Sequence, residues 1–150
     1  MALQLLAVLV LGLMCGSELN VAAFTHPTLD RQRPEVHIVV RSSFAALFGH
    51  VMPFWMVGST LLNLLLLLPF AHLNKFAWNF AAAALAIQVV AAVFSLIAPV
   101  PINNRIAEWT PGSVPNDWKV QEHRWDVYHW FRTSGLVVAF AILVLSVGVR

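Results

Sequence analysis

Charge is what this 150-residue chain has least of: Asp, Glu, Lys and Arg together make up 11% of it. Soluble domains carry charge on about a quarter of their residues, so an ordinary water-soluble fold is excluded at the outset. The net charge of +2 is too small and too dispersed to attract a nucleic acid. Cysteine is nearly absent as well. Cys15 is the single one, so no intramolecular disulfide, CxxC redox pair or zinc cluster can form, and the residue is expected to pack in a core. The chain has no phosphate-binding glycine loop, no dinucleotide fingerprint and no nucleophile elbow, which leaves nucleotide-dependent and hydrolytic chemistry without support.

What is abundant is apolar. Hydrophobic residues make up 59% of the chain and the mean hydropathy is +0.75, values of an integral, multi-pass membrane protein, expected in the plasma membrane or, in a bacterium, the inner membrane. Four apolar segments, about residues 2–24, 44–70, 76–98 and 128–149, predict one integral membrane domain over residues 1–150. Its expected fold is all-α, a four-transmembrane-helix bundle with a long polar, Trp-rich loop between helices 3 and 4. The first segment has no basic leader and no small-x-small cleavage site, so it is expected to be retained as a span. The fourth has its apolar run from Gly135 to Val149, roughly 22 Å of helix against ~30 Å of hydrocarbon. Thr133, Arg132 and Trp130 must therefore enter the membrane boundary, with His129 about one turn above Arg132. No Gly or Pro interrupts the stretch before it, and one helix is expected from about Asn116 onward.

Four spans in series bring the end of the first, the start of the second, the end of the third and the start of the fourth to one membrane face. Glu18 and His26, then His50, then "PVPINNR", then Trp125, His129 and Arg132 converge there. Glu18, Ala22 and His26 recur at i, i+4 and i+8, and Trp125, His129 and Arg132 at i, i+4 and i+7, so each set forms one helix stripe. Ionisable groups at membrane depth turn inward and pair, and Glu18 with Arg132 is the evident couple. A structural account stands beside this one: the pair orients two helices, and Trp109, Trp118, Trp125 and Trp130 form an interfacial belt. His37, His72 and His123 are expected to be solvated. Asn63 and Gln88, in mid-span, are expected to hydrogen-bond between helices.

"GSELNVAAFTHPTL", "PVPINNRIAEW" and "RWDVYHWFRTSGLVVAF" together resemble the pattern of the anthrone-oxygenase-like family of small four-span membrane proteins. The resemblance covers nearly the whole chain and implies a four-helix membrane bundle. For some members it implies an oxygenase that converts an anthrone to an anthraquinone without an evident flavin or haem. The family's acidic residue falls on Glu18, its His-Pro pair on His26 and Pro27, and its Pro-x-Asn element on Pro101, Asn103 and Asn104. Its late motif falls on Arg124, Trp125, His129, Arg132 and Thr133. The arginines of "LDRQRPEVHIVVRSS" depart from the shorter, more apolar lead expected before the second span.

The chemistry so implied needs a base, donors for an oxyanion and an aromatic pocket open to the bilayer. His129 fits the first role. Arg132 with Asn103 or Asn104 fits the second, with Glu18 as the partner of Arg132, and Trp125, Trp109 and Phe24 with His26 suit the third. The ligands are then a hydrophobic, anthrone-like phenolic molecule and O₂, in a lipid bilayer, with no nucleic acid and no required cofactor; a homo-oligomer is compatible with the composition. Two other readings stand. One is a non-catalytic membrane protein serving transport or assembly. The other is a redox protein dependent on haem or on a non-haem metal, the latter held by Glu18, His26, His50 and His129.

Orientation follows from charge. The motif face carries Arg31, Arg33, Arg41, Arg105, Lys119, Arg124 and Arg132, against Lys75 and Arg150 opposite, so positive-inside bias places it in the cytoplasm. A cysteine introduced at Gly112 should remain unlabelled by an impermeant maleimide on intact cells; labelling there would reverse the assignment.

Overall fold

A computed structural model describes residues 1–148, and these form helices joined by short turns, with no strand among them. Val149, the expected end of the fourth span, and Arg150, used for orientation, lie outside the described residues. The elements are α1 (Ala2–Asn20), a π-helical segment (Val21–Thr25), α2 (His26–Leu29), α3 (Pro34–Leu66), a 3-10 turn (Pro69–Ala71), α4 (Lys75–Ile97), α5 (Pro99–Ile106) and α6 (Trp118–Gly148). Four stretches are long and apolar enough to cross a membrane: Ala2–Leu29, Pro34–Leu66, Lys75–Ile97 and Trp118–Gly148. The all-α, four-helix expectation holds.

Several boundaries differ from the expected ones, each for a local reason. The polar stretch after the first span is not a loop. The chain stays helical to Leu29 and resumes at Pro34, where a proline at the first helical position loses no hydrogen bond. From there His37, Ile38, Arg41 and Ala45 fall on one buried face, so α3 starts well before Phe44 and ends at Leu66, ahead of Pro69. His37, expected in solvent, is only 1% exposed. "PVPINNR" is not loop either, for Pro99 opens α5. The turn before α4 is capped by Asn74, whose side chain accepts from the Ala77 amide. His50 lies on an exposed face, with Nδ1–H donating to the Ala46 carbonyl, and does not join the other histidines. Asn63 and Gln88 are fully buried, yet their side chains have no hydrogen-bond partner among the described residues, contrary to the interhelical bonds expected of them.

The packing stripes have heptad spacing. On α4 they are Ala77, Ala81, Ala84, Gln88, Ala91 and Ser95; on α6, Leu136, Ala139 and Leu143 continue the line of Trp125, His129 and Arg132. Alternating steps of four and three residues suit near-parallel helices in a left-handed bundle. Alanine on α4 lets α6 approach closely, and small residues are what membrane interfaces use where no hydrophobic effect drives association. Cys15 packs in the same core, its thiol donating to the Leu136 carbonyl at 3.3 Å.

Gly12 marks a close contact of α1 with α6, since a Cβ placed there would lie 2.7 Å from the Phe140 ring. Gly12→Leu should therefore lower stability by about 1–3 kcal/mol through overpacking. Gly16→Leu, with open space around it, should not. Thermal unfolding in detergent compares the two, and equal midpoints would show that the α1–α6 contact yields freely.

Candidate functional site

The first, second and fourth spans are too long for the bilayer. Their 28, 33 and 31 residues make helices of about 42, 50 and 46 Å, against ~30 Å of hydrocarbon, whereas the 23 residues of α4 nearly match it. The excess of all three stands on one side, where α5 and residues 107–117 close over it. In that layer a carboxylate or guanidinium costs far less than at mid-membrane, and the charged residues of the stripes collect there.

Asp126 on α6 links three elements. Its Oδ1 accepts from Arg41 Nη2 at 2.7 Å and from His26 Nδ1 at 2.9 Å. His26 reaches this position through the π segment. In a regular α-helix residue i+8 lies about 80° past residue i, and the wider π turn takes back part of that rotation, returning His26 to the face of Glu18. Pro27 supplies the cause, since its ring would collide with the Ala23 carbonyl of a regular helix and a wider turn relieves the clash. His26 Nε2 has no hydrogen-bond partner among the described residues.

One turn nearer the membrane, Arg132 Nη2 donates to Glu18 Oε2, so the pair expected from the sequence is formed. Thr133 Oγ1 donates to the same oxygen at 3.3 Å. His129 completes the group, its Nδ1 accepting from Arg132 Nη2 at 3.0 Å and its Nε2–H donating to the Glu18 carbonyl at 3.1 Å. A carbonyl can only accept, which fixes this tautomer. Trp125 lies over His129, ring centroids 4.5 Å apart and 15° from parallel, and Arg41 covers its other neighbourhood at 4.8 Å.

These residues form the polar end of a cavity of about 240 Å³. Met52, Met56 and Ala92 line its apolar part, and α5 contributes Asn103 and Asn104. Asn103 Nδ2 donates to the Ala45 carbonyl at 2.9 Å beside Gly49, where any side chain would crowd it. Pro53, Val57 and Leu96 line the cavity and are also exposed on the outer surface of the bundle, so the cavity opens sideways between α3 and α4. That opening lies between two helices long and apolar enough to cross a membrane.

Of the residues singled out in the sequence, Glu18, His26, Asn103, Asn104, Trp125, His129 and Arg132 meet around this cavity. Trp109 does not line it. It is buried against Ile102 and Ile106 and edge-on to Trp118. Phe24 is 68% exposed and points away. Arg41, noted only for its charge, and Asp126 were not expected in the site. Asp126 precedes His129 by three positions, so extending the His129 stripe by one turn finds it; Arg41 has no such signal, because its segment reads as a loop. Two N–H groups on lining residues, Arg132 Nε and Trp125 Nε1, are buried without an acceptor.

A metal could be sought at Asp30, His37 and Glu122, whose ligand atoms lie within 4.8 Å of one another. Cationic side chains already fill that place. Lys119 Nζ is 3.1 Å from Glu122 and 3.7 Å from Asp30, and Arg41 Nε is 3.7 Å from Glu122. His37 donates from Nδ1 to the Leu29 carbonyl and bonds Glu122 through Nε2, leaving no free lone pair. The group joins α2, α3 and α6 as a structural clamp.

Removing one partner of the Glu18–Arg132 pair strands the other charge, a loss of about 3–5 kcal/mol for buried pairs. Glu18→Gln and Arg132→Met should each reduce folded yield strongly, and the double variant should recover part of it. Strictly additive losses on size exclusion would mean that the two side chains are not energetically coupled.

Comparison with known proteins adds one match: residues 42–142 fit the family described as anthrone oxygenase. No curated protein and no solved structure matches the chain.

Proposed function

The chain belongs to the anthrone oxygenase family, and from that premise we propose that it oxidises the acidic methylene of a flat, lipid-soluble phenolic substrate with O₂, in a plasma or bacterial inner membrane. The observation that carries the reading is His26. Its Nδ1 is held by Asp126, itself anchored by Arg41, and its Nε2 is left free on a residue that lines the apolar cavity. A carboxylate-oriented imidazole with one free nitrogen is the arrangement of a general base. His129 suits the role less well, since both of its ring nitrogens are engaged by Glu18 and Arg132.

In the proposed sequence His26 Nε2 takes one methylene proton, and the charge left behind spreads to the carbonyl and phenol oxygens. Arg41 and Arg132 flank the polar end of the cavity, and Arg132 Nε and Trp125 Nε1 are the donors we assign to that oxyanion. The anion gives electrons to O₂ and forms a carbon–peroxide bond, and the proton returns to yield the hydroperoxide. Loss of the second C–H proton with cleavage of the O–O bond leaves a carbonyl. The expelled hydroxide takes up that proton, so that CH₂ + O₂ becomes C=O + H₂O. Three fused rings have an apolar body and a polar edge, which suits a cavity polar at one end and open to lipid at the other.

We assign no resident metal or haem to this site. Non-haem iron usually takes two histidines and a carboxylate, and here both ring nitrogens of His129 are engaged and the Arg132 cation is already bonded to Glu18, which leaves His26 as the one histidine of the group with a free nitrogen.

With protein in nanodiscs supplied with an anthrone, O₂ uptake should fall about 10²–10⁴-fold in His26→Gln with assembly intact, whereas Asp126→Asn, which also strands the Arg41 charge, should lose both rate and folded yield. A folded His26→Gln protein at full rate would remove His26 from the mechanism. An inactive wild type would favour the non-catalytic reading.

A further inference from the structure

His26 and His129 form a wall between two cavities. Beyond them, away from the apolar cavity, lies a second one of about 250 Å³, with Asp30, His123, Asp126, Val127 and Trp130 around it and Ala22 at its floor. Asp30, His123, Val127 and Trp130 are exposed, whereas Ala22, His26 and His129 are buried. The chamber is therefore open at the rim and closed at the floor, and it lies in the layer where the long helices stand clear of the hydrocarbon.

The two cavities differ in polarity, the second having the larger polar share. One is mainly apolar and opens between α3 and α4; the other has two carboxylates, Asp30 and Asp126, and three histidines, His26, His123 and His129, among its lining residues. A bound water needs room for ~30 Å³ and two to four polar partners, and the second chamber offers both. Asp126 belongs to it, with its side chain 26% exposed, while its Oδ1 holds His26. The proposed oxidation makes one water per turnover at His26, in a cavity whose own mouth faces a medium that dissolves water poorly.

We infer that the polar chamber between α2 and α6 is the aqueous port of the site, through which the product water leaves and the His26–Asp126 pair exchanges protons with bulk. This rests on the reading of His26 as the base. Substrate then arrives from the bilayer by one opening and water departs by the other, and neither has to cross the path of its opposite.

Two measurements test the port, one of them independent of catalysis. In an Ala22→Cys protein, a small water-borne methanethiosulfonate should modify the new thiol at the chamber floor, and adding Val127→Trp at the rim should slow the modification at least about tenfold. Val57→Trp, on the lipid side, should leave that rate unchanged. An Ala22→Cys thiol that stays unreactive while Val127→Cys reacts would show that the chamber is closed to water and would overturn the inference. In turnover, Val127→Trp should lower kcat about tenfold at constant KM, whereas Val57→Trp should raise KM. Wild-type kcat in a Val127→Trp protein whose chamber is shut to the reagent would also overturn it. If the wild type consumes no O₂ with an anthrone, the proposed function fails instead, and the labelling still decides whether water reaches His26.

Discussion

Asp126 accepts from Arg41 and His26 through one oxygen, and that shared acceptor ties α6 to α3 and to the segment that follows α1. Three helices are set against one another by a group none of them could satisfy alone. The same bonds fix the His26 ring so that its other nitrogen remains available at the cavity. Beside it, His37, Glu122 and Lys119 clamp α3 and α6 together, and Glu18 with Arg132 repeats the arrangement one turn deeper for α1 and α6. A lone charge in any of these places would be expensive, so each is held by its neighbours and rigidity follows from the cost of separation.

Helix length places this network. Because α3 and α6 exceed the bilayer while α4 does not, one heptad stripe serves two environments in turn. On α6 it is Leu136, Ala139 and Leu143 within the hydrocarbon, and Glu122, Trp125, His129 and Arg132 at and above its edge. Core and site are successive stretches of one packing face, and α5 closes the space left where α4 ends.

The cavity lies at the junction of those stretches, and its asymmetry follows. Its apolar end is built by residues that face the membrane midplane, its polar end by the charged layer, and its mouth by Pro53, Val57 and Leu96 between helices. Pro53 forgoes a helical hydrogen bond inside α3. The unmet donors of Arg132 and Trp125 stand at the same junction, which is where a ligand oxygen would be of most use.

Composition and periodicity alone were enough for the four apolar helices, the face on which the polar motifs gather and the pairing of Glu18 with Arg132. These depend on hydropathy, on 3.6-residue geometry and on the cost of a charge in lipid, all local or one-dimensional quantities. The polar run that follows His26 and ends at Ser43 reads as a loop by the same measures, and so Arg41 counted only as a loop charge and His37 was expected in solvent. Their burial depends on α6 being long enough to bring Glu122 and Asp126 alongside, which only the packed structure decides. Which histidine keeps a free nitrogen was likewise undecidable from spacing. His26 and His129 stand in equivalent stripes, and the difference arises because Asp126 takes one nitrogen of His26, whereas Glu18 and Arg132 together take both of His129.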